Sequence, residues 1–146
     1  MIVSSRKRKV PIASSEAVRR SMEANRSRNT GPELKLRREL TAAGLSGYRL
    51  HWKDAPGKPD IAYPGKKVAI FVHGCFWHRC PECKPKLPKR NREYWRSKFA
   101  ANTERDKKNI SKLKKEGWTV IIVWECDIPS KLDSIIQRIS VIVREN

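Results

Sequence analysis

The chain is short of acid. Against 33 Lys and Arg its 146 residues set only 15 Asp and Glu, a formal charge of +18. That is well beyond what solubility requires and points to a polyanionic partner, nucleic acid above all. A structural basic protein of the ribosomal kind would satisfy the charge equally well. Long apolar runs are missing too: Val68 to Val72 and Val120 to Trp124 are the longest. Both are far too short for a bilayer, and no stretch reads as an export signal. Four cysteines in such a chain are not expected to form disulfides, which leaves a zinc site as the preferred reading and free thiols as the alternative. There are no internal repeats. The length fits one domain with a single sheet-centred core.

The scarce residue types are concentrated. Phe71 to Cys83 reads F-V-H-G-C-F-W-H-R-C-P-E-C and holds three of the four cysteines and two of the three histidines, in a chain only 8% aromatic. Lys66 to Val72 before it is β-branched and aromatic, as a buried strand is, and Gly74 lets the backbone turn away at the strand end. Cys80 and Cys83 have the C-x2-C spacing of structural zinc sites; with Cys75 and the remote Cys126 they make four thiolates, a closed site that would fold the loop and do no chemistry.

The charge is uneven: +7 over residues 1–40, +4 over 41–80, +8 over 81–116 and −1 over 117–146. Residues 1–15 show no periodicity and read as a flexible basic N-terminal arm, with 16–146 as the single domain. Residues 15–28 could form a short helix carrying Met22. Thr30-Gly31-Pro32-Glu33 is a capping box for a helix to about Ala43, presenting Leu34, Leu36 and Leu40 and ending at Gly44. Glu33 then either accepts the Thr30 N–H or leans toward a metal.

Tyr48 to Lys53 and Pro59 to Tyr63 read as strands, the second joined through a tight Pro64-Gly65 turn, type II, to the Lys66–His73 strand. Simple pairing sets Asp60 opposite Ala69, so reaching Val72 would need a bulge or twist. A carboxylate and a histidine brought together at strand ends suit a hard cation. Arg92 to Glu116 reads as one helix with Trp95, Phe99, Ile110 and Leu113 in a stripe, and at 100° per residue Asn102 and Asp106 fall within about 40° of it. Asp106 would there pair with a core Arg or His, or orient a catalytic group; a histidine is the preferred partner. Trp118 to Trp124 is the most apolar strand and is expected at the centre of the sheet. Pro129 opens a last helix whose Leu132, Ile135, Ile136, Ile139 and Ile142 keep helical spacing and cover the sheet.

Four motifs in order, P-G-K-P-D, F-V-H-G-C-F-W-H, N-x-x-R-D from Asn102 to Asp106 and V-W-E-C from Val123 to Cys126, resemble the Vsr very short patch repair endonucleases, from about Arg19 to Cys126. The resemblance implies an α/β, restriction-endonuclease-like fold: a mixed sheet flanked by helices, a variant in which P-D…(D/E)-x-K survives only as Pro59-Asp60, with Phe71 and His73 at the later acid and lysine positions. It implies nicking of double-stranded DNA beside a T·G mismatch left by 5-methylcytosine deamination. Asp60 would bind Mg²⁺ with the Val72 main-chain carbonyl, Glu33 would stand near the metal waters, His78 would be the base, Asp106 its orienting carboxylate, and His73 a second group at the phosphate. Phe76 and Trp77 would wedge into the base stack, with Met22 from the N-terminal side; by composition alone the pair reads better as core. The family often has His among the zinc ligands where this chain has Cys80. The implied protein is a cytoplasmic, nucleoid-associated monomer. An endonuclease of the same fold without a mismatch requirement, or a non-catalytic zinc-containing nucleic-acid-binding module, are the competing readings; the module leaves Asp60, Asp106 and the histidines unused.

Overall fold

The computed structural model describes residues 29–146. The arm at 1–15, the short helix over 15–28 and Met22 lie outside the described residues. Helix α1 (Gly31–Ala42) is followed by β1 (Arg49–Leu50), β2 (Ile61–Tyr63) and β3 (Val68–His73). After a long loop come helix α2 (Arg92–Lys115), β4 (Thr119–Trp124) and helix α3 (Ile128–Glu145). The strands form one mixed sheet in the order β1-β2-β3-β4. β1 to β3 pair antiparallel, and β3 and β4 pair parallel.

A strand shows alternate residues to opposite faces, and here both faces are covered. Val68 and Ile70 of β3, with Ile121 and Val123 of β4, pack against Leu36 and Leu40 of α1 and Ile139 and Val143 of α3. Ala69 and Phe71, with Val120 and Ile122, turn to the other side and meet Leu113 of α2 together with Trp52 and Ala55. That double cover explains the near-continuous apolar runs of β3 and β4.

Three expectations are corrected. β4 is an edge strand among the described residues, with β3 between it and β2; its apolarity reflects helices on both faces, not a central place. The Pro64-Gly65 turn is a 3-10 turn over Pro64–Lys66 closed by left-handed Lys67 at φ 53°. Its extra residues move the register by two, pairing Tyr63 with Val68 and Ile61 with Ile70, so Asp60 reaches Val72 with no bulge. The strand expected over Tyr48 to Lys53 is only Arg49–Leu50, because His51 turns the chain at φ 47°.

Thr30 caps α1, its hydroxyl accepting from Glu33 N at 3.4 Å, and Gly44 ends the helix at φ +79°. Leu34 is 36% exposed and stays out of the core. Among the described residues no helix is long and apolar enough to cross a membrane.

Candidate active site

The alternation that fills the core also aims the site. Continuing the series Ala69, Phe71, the side chain of His73 falls on the α2 side of the sheet, at the end of β3. The chain then closes a tight turn, His78 N–H donating to Gly74 O at 3.1 Å and Cys80 N–H to Cys75 O at 2.9 Å. This folds His78 back over His73, the rings stacked with centroids 3.9 Å apart and planes 6° apart. From α2, Asp106 Oδ2 comes within 2.6 Å of His78 Nδ1. A carboxylate only accepts, so the proton between them sits on His78 Nδ1. Burial raises the Asp106 carboxyl, but the bond and charge of His78, then His73 and Arg105, hold it below its ordinary value. Burial, then the neighbouring His78, push His73 down to about 4 against the opposing pull of Asp106, so His73 is neutral at neutral pH.

A second group lies beside the first. Asp60, one residue before β2, accepts the Val72 N–H through Oδ2 at 2.7 Å. Its carboxyl is pushed up to about 6, chiefly by burial; the Val72 N–H opposes this and the Glu33 charge adds to it. A half-buried carboxylate short of positive charge is a place where a cation fits. Glu33, 3% exposed, spends both oxygens on protein donors. Oε2 accepts from Asn29 N at 3.1 Å, one residue upstream of the Thr30 N–H of the expected reciprocal cap. Oε1 takes Arg37 at 2.6 Å and His51 Nε2 at 2.7 Å. Ligand atoms of Glu33, His51 and Asp60 lie within 4.8 Å of one another, as do those of His73, His78 and Asp106.

Both groups open into one cleft of about 350 Å³, lined also by Val72, Lys58 and Arg105. Its wall depends on Gly57, at φ +78°, where an added Cβ would stand 3.0 Å from Asn109 Cβ of α2. Only glycine lets this loop press so closely on the helix.

Beyond the histidines, Cys75, Cys80, Cys83 and Cys126 bring their sulfurs within 4.8 Å of one another, unbridged. Cys80 and Cys126 sulfurs are 3.8 Å apart, which is the edge of a tetrahedron with metal–sulfur bonds of about 2.3 Å. The set therefore fits a four-thiolate metal site. Burial pushes the Cys75 and Cys126 thiols up. Cys80 is held down, burial being outweighed by the N–H groups of Cys83 and Glu82 and the neighbouring thiols. Glu125 ties the same loop to the end of β4, accepting Cys75 N–H at 3.0 Å.

Phe76 and Trp77, which composition reads as core and the resemblance as a wedge, are half-buried against Trp95 and Phe99 of α2. Phe76 meets Phe99 edge-on with centroids 5.2 Å apart, and the Arg79 guanidinium lies 4.2 Å from the Phe99 ring centroid. The sequence reasoning missed His51, Glu125, Lys58 and Arg105. His51 carried one available signal: it is the third of only three histidines and directly follows a strand.

Carboxylates that favour a cation, an imidazole held by a carboxylate, and basic residues on the same walls define a nuclease. Residues 12–84 match the model of the family described as DNA mismatch endonuclease Vsr. The chain is 44% identical over 115 residues to the type II nicking enzyme V.XorIIP of Xanthomonas oryzae pv. oryzae, covering 79% of this chain and 84% of that one. It is 40% identical over 119 residues to the type II nicking enzyme V.NmeAIP of Neisseria meningitidis, covering 82% and 84%. To the DNA mismatch endonuclease Vsr of Escherichia coli it is 40% identical over 107 residues, covering 73% and 68%. The chain belongs to the Vsr family and is a strand-nicking DNA endonuclease.

Proposed function

We propose that the enzyme nicks one strand of double-stranded DNA beside a T·G mismatch, in a Mg²⁺-dependent reaction, as the first step of very short patch repair after 5-methylcytosine deamination. The observation that carries this reading is the shared cleft, where an under-compensated Asp60 stands beside a His78–Asp106 pair. Asp60, with the Val72 main-chain carbonyl, would hold the cation, and Glu33 would stand near its waters. A hard divalent cation supplies positive charge at the phosphate oxygens and the leaving oxygen.

The protein's own groups do the rest. His78 Nε2 takes a proton from the attacking water while Asp106 holds Nδ1–H and stabilises the imidazolium that forms. The water oxygen bonds to phosphorus as the opposite P–O bond breaks, the leaving oxygen takes a proton from solvent, and the proton on His78 Nε2 returns to solvent. Neutral His73, stacked on His78, stands at the phosphate without adding a repelling charge. Lys58 and Arg105 set the phosphate in register. Cys75, Cys80, Cys83 and Cys126 would hold a structural zinc that fixes the loop bearing His78.

Phe76 and Trp77 would leave their seat on Trp95 and Phe99 to enter the base stack, with Met22 entering from the N-terminal segment. Each aromatic contact given up costs about 0.5–1.5 kcal/mol, which a weakly stacked T·G step repays more easily than a matched one. The protein would act as a monomer on nucleoid DNA in the cytoplasm. With Mg²⁺ and otherwise identical duplexes, nicking at T·G should run on the order of 10- to 100-fold faster than at T·A, the advantage a mismatch of a few kcal/mol confers. Equal rates on both duplexes would return the protein to a nuclease without mismatch preference.

A further inference from the structure

His51 is held more tightly than a surface strand end requires. Its backbone takes the left-handed region at φ 47°, a conformation that costs a non-glycine residue and persists where the surroundings demand it. Its N–H donates to Asp60 O at 3.0 Å, and that of Trp52 to Pro59 O at 3.1 Å, so this segment is laced to the one carrying Asp60. Its Nε2 is 2.7 Å from Glu33 Oε1. Glu33 is itself held by Arg37 and Asn29 N. A carboxylate saturated by three donors is a poor direct ligand but a firm anchor for an imidazole, the arrangement that fixes ring orientation and tautomer at metal sites. Nε2 is turned to Glu33, and the other ring nitrogen meets no protein partner among the described residues. The ring lines the same cleft as Asp60.

We propose that His51, oriented by Glu33, supplies a nitrogen ligand to the cation site at Asp60 and so makes that site accept a first-row transition cation such as Mn²⁺ as well as Mg²⁺. This rests on Asp60 being the cation site, as in the proposed function. Carboxylate, carbonyl and water donors alone suit hard cations, whereas an imidazole raises affinity along the first transition row and adds little for Mg²⁺. Arg37 already neutralises Glu33, so a neutral donor adds a ligand without adding a second charge to balance.

His51→Gln tests this directly, because glutamine keeps an N–H for Glu33 and offers only oxygen to a metal. Zinc-replete wild-type, His51→Gln and Asp60→Ala proteins are titrated with Mn²⁺ and followed by electron paramagnetic resonance, with Mg²⁺ affinity read by competition. Pulsed measurements report ¹⁴N coupling to the bound ion. His73 and His78 share the cleft, so the assignment rests on coupling that His51→Gln removes. The expected result is a fall in Mn²⁺ affinity of at least about 10-fold, since losing even an outer partner of a metal ligand typically costs that much, with Mg²⁺ affinity changed by less than about threefold. Unchanged ¹⁴N coupling in His51→Gln, or equal weakening of both metals, would overturn the role of His51. Mn²⁺ binding that survives in Asp60→Ala would instead overturn the cation site itself, so the two failures are distinct. Circular dichroism of each variant establishes that the fold is retained.

Discussion

Asp60→Ala should abolish nicking while leaving DNA affinity almost unchanged. The reason is a division of labour written into the charge map. Affinity is spread over many Lys and Arg, with residues 81–116 alone carrying +8, and the loss of one acid from a cleft wall does not weaken those phosphate contacts. On the proposed mechanism the chemistry depends on one carboxylate, half-buried, bonded to Val72 N at 2.7 Å and set beside Glu33. Cation stabilisation at a phosphoryl centre is worth several kcal/mol, so the rate should fall by at least about a thousandfold. Asp60→Asn can keep the bond from Val72 N while removing a buried charge. Without metal it should fold at least as stably as the wild type, since burying a carboxylate near another opposes folding. Single-turnover nicking with a parallel binding isotherm checks the first claim, and chemical denaturation the second. Wild-type nicking by Asp60→Ala would remove the cleft from consideration.

The second large effect belongs to the thiols. Residues 74–91 join β3 to α2 with no helix or strand of their own. The apolar anchors near them, Phe76, Trp77, Leu87, Trp95 and Phe99, form a cluster separate from the two that clasp the sheet. The metal-binding free energy of a structural zinc site is on the order of 10 kcal/mol, and here it would hold this loop rather than the sheet. Chelation, or Cys80→Ser, should therefore melt one region and spare the rest. The near-ultraviolet signal of Trp77 and Trp95 should collapse while most far-ultraviolet ellipticity survives. Nicking should vanish with it, because His78 lies between Cys75 and Cys80. Retained activity with no metal bound would show that the thiols serve packing alone.

The parts of this architecture that could be read from sequence are those set by local composition and periodicity. The β-branched and aromatic run Lys66 to Val72 marked the buried strand, and the helical stripe through Trp95 and Phe99 marked the face near Asp106. Position in the sheet was not legible, since β4 is apolar from being sandwiched and a central strand reads the same way. The hairpin register depended on Lys67 entering the left-handed region, which Pro-Gly composition does not announce. His51 escaped for a related reason. Its importance comes from a backbone turn at φ 47° and a partner, Glu33, eighteen positions away, neither of which leaves a local pattern. Phe76 and Trp77 show the opposite difficulty: the same two side chains can serve as a seat on α2 or as a wedge, and the free protein shows the seat.

On the proposed mechanism His78, held by Asp106, is the proton acceptor of strand nicking. The most direct test is single-turnover nicking by His78→Ala at saturating enzyme and Mg²⁺, with DNA affinity and thiol-bound metal measured on the same sample. The rate should fall by about 10²- to 10⁴-fold, the range for removing a general base, with affinity and metal content unchanged. A His78→Ala enzyme that nicks at the wild-type rate with its metal and DNA binding intact would contradict the account.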